Sequence, residues 1–138
     1  MAVKRKTSRK SAVDYATVRE LALGLPGVVD SSTLRGIAFK VHGRLLACKA
    51  INRSAEPETL MVRVGAADRD RLIAAEPDSY YVTAHYLINE SVLVRLASVD
   101  RQGLQAVLQL GWKFVTAAAA RSRRPAKRKK AASVFRYL

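Results

Sequence analysis

Cysteine and tryptophan each occur once in this sequence, and histidine only twice. The lone Cys48 cannot close an intramolecular disulfide or supply a four-cysteine zinc site. That excludes a disulfide-built secreted scaffold and a zinc ribbon, and it fits a reducing cytoplasm. No run of about 18 apolar residues occurs, and no apolar stretch of signal-peptide length follows the basic N-terminus, so a cytoplasmic protein without a membrane span is expected. The first eleven residues are basic and free of acid, as organelle presequences are, but they hold too few apolar residues to build an amphipathic face. A phosphate-cradling glycine loop, a serine-nucleophile elbow and a paired-histidine metal motif are all missing, which leaves enzyme chemistry little support.

Acidic residues are absent from both ends, and this absence says most about function. The chain has 138 residues, 25 Lys plus Arg against 11 Asp plus Glu, and a formal net charge of +14. Residues 1–13 hold five cations and no acid, and residues 121–138 hold eight cations and no acid. The stretch from Asp14 to Ala120 carries twelve basic and eleven acidic groups, a net of +1, which leaves +13 on the ends. With 49% hydrophobic residues the middle can bury a modest core. The expected organisation is a basic arm (1–13), one near-neutral domain (14–120) and a basic, disordered tail (121–138). Ala, Arg, Lys and Pro offer that tail almost nothing to bury.

Within the domain, hydrophobic periodicity predicts the elements. Ser11 and Asp14 form a Ser-x-x-acid start signal for a helix over 12–23, which Gly24, Pro26 and Gly27 stop. Ile37, Phe39 and Val41 alternate as a strand, His42 and Gly43 suit a two-residue turn, and Arg44 to Ala50 returns. The segment 52–58 is a loop by composition, and Leu60, Val62 and Val64 share one face of a third strand. A short helix over 66–75 grips through Leu72 and Ile73. Runs at 80–83 and 92–96 read as strands joined by a turn at 87–90. A last helix starts near Asp100 with a stripe of Leu104, Val107, Leu108, Gly111 and Val115, and Pro125 is expected to prevent its continuation through the tail. The fold class is α+β, a single domain of order α-βββ-α-ββ-α, with a mainly antiparallel sheet packed with helices and flanked by basic arms. Val134, Phe135, Tyr137 and Leu138 are the one apolar group in the tail and could dock back on the domain.

The stretches Leu25-Pro26-Gly27-Val28, Phe39-Lys40-Val41-His42-Gly43-Arg44, Tyr80-Tyr81-Val82-Thr83, His85-Tyr86, Val92-Leu93-Val94-Arg95-Leu96 and Trp112-Lys113-Phe114-Val115 follow one another in a recognisable order and spacing. In these residues the chain, from Asp14 to Ala118, resembles the MmcQ/YjbR-like family of small bacterial proteins. The resemblance implies an α+β fold with a winged, antiparallel sheet and a DNA-binding role. Gly43-Arg44 stands where many members have Gly-Lys, Ala84 where many have Pro, and Val92 near where many have an aromatic residue. The resemblance does not reach the basic arms.

Dense cations bind polyanions because each contacted phosphate releases condensed counterions. The candidate nucleic-acid contacts are Lys4, Arg5, Lys6, Arg9 and Lys10 in the first arm, Arg44 at the hairpin tip, and Arg121, Arg123, Arg124, Lys127, Arg128, Lys129 and Lys130 in the tail. Lys40, Arg44, Lys49, Arg63 and Arg95 lie on or beside strands. They form either a phosphate-binding outer sheet face or an ordinary wet face paired with Glu56, Glu58 or Glu90. Tyr80, Tyr81, Tyr86 and Trp112 serve either as base-stacking platforms or, more in keeping with a helix-sheet junction, as core. His42 falls in a turn and His85 near a strand end, where Asp78 or Glu90 could orient it. Cys48 reads as an inert buried thiol, and Asp68 and Asp70 as helix N-terminal acids. No catalytic residue, metal or cofactor is assigned. The expected function is non-enzymatic, largely sequence-tolerant binding of nucleic acid, DNA before RNA, in the cytoplasm and on the nucleoid. The alternative is a small-ligand or protein-interaction module whose basic tail only localises it.

Overall fold

The computed structural model describes residues 13–133, with side-chain detail for residues 13–121. Six strands form one sheet: β1 (Val28–Asp30), β2 (Ala38–Val41), β3 (Arg44–Lys49), β4 (Thr59–Arg63), β5 (Tyr80–Tyr81) and β6 (Ser91–Arg95). Their order across the sheet is β1-β2-β3-β4-β6-β5, and every neighbouring pair is antiparallel. Four helices accompany them: α1 (Tyr15–Leu23), α2 (Ala66–Ala75), α3 (Ala84–Leu87) and α4 (Arg101–Ser133). The α+β fold class and the single sheet are as the hydrophobic pattern implies. The expected order lacked β1 and α3.

Local chemistry explains the starts and stops. Asp14 is the N-cap of α1, its carboxylate accepting from the Thr17 amide at 3.0 Å, so the helix begins three residues later than position 12. His42 and Gly43 both adopt positive φ, 53° and 76°, the two-residue turn that matches strand twist and joins β2 to β3. Partners run Phe39 to Ala47 and then Lys40 to Leu45, so Leu46 is the extra residue of a bulge. The bulge lets Leu46 and Ala47, adjacent in sequence, both enter the same core. The run 80–83 pairs only through Tyr80 and Tyr81, because Thr83 becomes the N-cap of α3.

The larger core lies between one sheet face and helices α1 and α4. Phe39, Leu46, Leu60 and Val62 from the strands meet Val18, Leu104, Leu108 and Val115 from the helices, with all eight at or near zero exposure. Leu72 and Ile73 of α2 pack at its margin. The second sheet face has its own small core of Met61, Leu93 and Tyr86. This corrects the picture of a sheet with one wet face. The strands β4 and β6 are buried on both sides, as their unbroken apolar runs Leu60-Met61-Val62 and Val92-Leu93-Val94 now make clear.

Helix α4 corrects the expectation that Pro125 prevents a continuous helix. It spans 33 residues, through Pro125 to Ser133. The flanking Ala, Arg and Lys are strong helix formers, and proline removes one amide donor without forbidding helical φ. At 1.5 Å per residue the helix is about 50 Å long. Among the described residues Ala119 is its last buried one. The group Val134, Phe135, Tyr137 and Leu138, and the arm over residues 1–12, lie outside the described residues.

Candidate functional site

The cations expected on the outer sheet face separate into engaged and available ones. Arg95 is fully engaged. Its Nε and Nη2 donate to the two Glu56 oxygens, each at 2.9 Å, its Nη1 donates to the carbonyls of Pro77 and Asp78, and its guanidinium lies 4.2 Å from the centroid of the Tyr81 ring. The hydrogen bond from Arg95 holds the Glu56 carboxyl below its usual range, and Glu56 in turn holds the Arg95 proton more firmly. Arg63 donates to the carbonyls of Asn89 and Leu45 and lies 5.8 Å from the Phe114 ring centroid. Lys49 places its ammonium 5.7 Å from the Tyr15 ring. Burial, and next the charge of Glu58, push the Tyr15 hydroxyl up to about 12. Among the described residues Lys40 and Arg44 make no salt bridge.

The candidate contacts of the tail begin where the helix leaves the sheet. Helix α4 crosses the sheet at Gly111, beside Leu46 and Val62, and its Phe114 then lies against Gly65. Because Ala47 pairs with Val62, the end of β4 next to Gly65 is also the end of β3 at which Arg44 follows the hairpin turn. The helix therefore runs toward the end of the sheet that holds half-buried Arg44 and carries Arg121, which is exposed, out past it. Arg123, Arg124, Lys127, Arg128, Lys129 and Lys130 occupy further positions of the same helix. With 3.6 residues per turn, positions 121, 124 and 128 fall in one row and 123, 127 and 130 in the next. Lys4, Arg5, Lys6, Arg9 and Lys10 lie outside the described residues.

The aromatic residues take structural places. Tyr80 and Tyr86 are buried, Tyr81 is covered by Arg95 and accepts from the Glu56 amide at 2.8 Å, and the Trp112 indole N–H donates to the Pro26 carbonyl at 2.8 Å. Tyr80 and Tyr86 therefore offer no ring to a base, Tyr81 has Arg95 over its ring, and Trp112 packs partly buried against the core.

A groove of about 310 Å³ opens on the second sheet face. Its floor is Leu45, Cys48 and Met61, and its rim carries Arg35, Lys49 and His85. Burial pushes the Cys48 thiol up, so it stays protonated. One wall is the tight turn Thr33–Gly36, closed by two reciprocal backbone hydrogen bonds of 3.0 Å. The opposite wall is α3, tied down by Asn52. The Asn52 amide N–H donates to the Tyr86 hydroxyl at 3.1 Å, and its side-chain oxygen accepts from the Ser54 amide at 2.8 Å. That second bond fixes which way the Asn52 side chain faces. Its NH₂ is then the group 3.2 Å from His85 Nδ1, so in the neutral ring Nδ1 accepts and the proton sits on Nε2. The orienting partner of His85 is thus Asn52, and not the expected Asp78 or Glu90. Asn52 was legible only as a loop residue, since nothing in its spacing announces a partner 33 positions away.

Among the described residues no three His, Cys, Asp or Glu gather to hold a metal ion. Asp68 pairs with Arg71, and Asp70 with Arg69. No helix among the described residues is long and apolar enough to cross a membrane.

These features define an α+β domain in which a six-stranded antiparallel sheet carries one long helix on its main face and a small open groove on the other. A solved structure with a similar fold is the crystal structure of Deinococcus radiodurans protein DR2400, which carries the family-model domain DUF419. It shares 22% identity, covers 78% of this chain and 82% of its own, and superposes with a TM-score of 0.62. At that identity the likeness is one of fold. No family model matches the sequence, and no curated protein matches it.

Proposed function

We propose that this protein is a member of the MmcQ/YjbR-like family and binds nucleic acid, DNA foremost, without an enzymatic step and with little dependence on sequence. The observation that carries the reading is the partition of charge, +1 on residues 14–120 and +13 on the two ends. Neutralising many phosphates with closely spaced cations gives affinity through counterion release, and this mode needs no base-edge contact. The domain supplies shape, one cation next to the hairpin turn in Arg44, and the helix that contains positions 121–130. Its aromatic residues are committed to packing, which argues against base stacking as a source of affinity. The site of action is the cytoplasm, on the nucleoid.

Salt-dependent titration of the full chain, and of a form lacking residues 121–138, against duplex DNA, single-stranded DNA and RNA tests this reading. The expected log K falls with log salt at about −0.9 per phosphate neutralised on duplex DNA. The slope shrinks sharply without residues 121–138. A full chain that ignores DNA at low salt overturns the proposal, as does a trimmed domain that binds as tightly as the whole.

A further inference from the structure

Beyond nucleic-acid binding, we infer that the groove on the second sheet face is a binding site for a small anionic amphiphile, a carboxylate with an apolar body. The inference does not depend on the arms. It rests on what the groove presents. Its floor of Leu45, Cys48 and Met61 offers apolar surface with no polar group to satisfy. Every charged side chain on its lining is a cation, Arg35 and Lys49, and no carboxylate lines it. His85 adds a third donor, because Asn52 occupies Nδ1 and leaves the Nε2 proton unclaimed by any hydrogen bond among the described residues. A cation would meet repulsion with no acid to offset it, and a neutral hydrocarbon would leave the donors unused.

Size and exposure agree with this ligand class. A volume of about 310 Å³ is at the low end of small-molecule pockets, which run from about 300 to 1,000 Å³. Exposed apolar residues adjoin the lining in sequence. Leu34 stands between the lining residues Thr33 and Arg35, Leu87 and Ile88 stand between Tyr86 and Asn89, and Ile51 borders the floor; all four are exposed. A longer apolar tail could therefore run out over this rim while the carboxylate stays with Arg35 and the His85 Nε2 proton. The walls are preorganised, since the Thr33–Gly36 turn and the Asn52 bonds to α3 are made without a ligand, which lowers the ordering cost of binding.

The chain itself supplies the reporters. Cys48 is its only cysteine and lies on the groove floor, so its alkylation rate by iodoacetamide reports occupancy at this point alone. Met61 is one of only two methionines, and its labelled methyl group gives a second, independent signal. In the full-length protein, octanoate is expected to protect Cys48 saturably and to shift the Met61 methyl resonance with the same midpoint. Octanol should protect more weakly, and octylamine not at all. The Arg35→Glu, Lys49→Glu double variant replaces two exposed side chains, giving up the Lys49 contact with the Tyr15 ring, and reverses the charge beside the groove. It should weaken octanoate by more than about tenfold while its Met61 resonance keeps its unliganded position, which shows that the groove is intact. No protection of Cys48 by octanoate, equal protection by octanol or octylamine, or an undiminished octanoate affinity in the double variant would each overturn the inference.

Discussion

Gly111 sits where α4 comes nearest to the sheet, and its missing side chain sets how close the two can lie. A Cβ there would come within 2.8 Å of a Val62 methyl, 2.9 Å of the Arg63 carbonyl oxygen and 3.0 Å of a Leu46 methyl. A methyl group can yield by rotating, but the backbone carbonyl of Arg63, paired through Ser91 at the end of β4, yields less easily. At Gly103, a full two turns earlier, a Cβ would meet nothing nearer than the end of the Asp100 side chain at 3.2 Å. Alanine gains up to about 1 kcal/mol over glycine in a helix, whereas overpacking a tight core contact costs about 1–3 kcal/mol. Gly111→Ala is therefore expected to lower stability by about 1 kcal/mol, and Gly103→Ala to leave it unchanged or raise it. Urea denaturation of both variants checks the contrast, and equal effects at the two positions would refute the close approach. The sequence placed Gly111 on the apolar stripe by its spacing with Leu108 and Val115. Spacing reports the direction a position faces; the distance to the facing strand depends on how helix and sheet cross, which no local pattern encodes.

At the scale of elements, the loop over 52–58 is better described as a strap. Asn52 and Ser54 bind α3, the Glu56 amide donates to Tyr81, and the Glu56 carboxylate grips Arg95 on β6. Composition identified the loop but not its partners, because each lies more than twenty residues away. The elements missed from the sequence share a cause as well. Strand β1 has three residues and α3 has four, too few to display a period of 2 or 3.6, and both are held by tertiary partners. The hairpin, by contrast, was legible down to the residues in its turn. Its signal is local, two positions that tolerate positive φ between alternating apolar runs. The strap also responds to pH in a definite direction. The Glu56 carboxyl titrates below its usual value, chiefly because Arg95 donates to it. Its contribution to folding is thus complete above about pH 4.3, the ordinary glutamate value, and is lost as pH falls through the depressed folded value. Thermal melts of the native chain and Glu56→Gln should differ at neutral pH and converge in strong acid. A difference that grows as pH falls would contradict the pairing.

For the whole molecule the decisive property is that charge and core occupy different parts of the chain. Burial among the described residues ends at Ala119, and the dense cations begin at Arg121 on the same continuous helix. The partition itself was readable from residue counts. That a helix spans both parts was not, because Pro125 argued for a break while the surrounding propensities favoured continuation. A continuous helix matters for the proposed binding mode, since residues 121–133 then leave the domain as its extension, past the end that holds Arg44. It also makes affinity and folding separable. Replacing Arg121, Arg123, Arg124, Lys127, Arg128, Lys129 and Lys130 together by glutamine removes seven charges and keeps side chains of good helix propensity. Such surface changes are expected to alter folding stability by no more than about 0.5 kcal/mol. The slope of log K against log salt on duplex DNA should become shallower by as much as about six, at about 0.9 for each lost phosphate contact. Calorimetry and a salt titration on the same preparation read both quantities. An unchanged salt slope would remove the C-terminal cations from the interface, and a large loss of stability would mean that they serve the fold rather than a ligand.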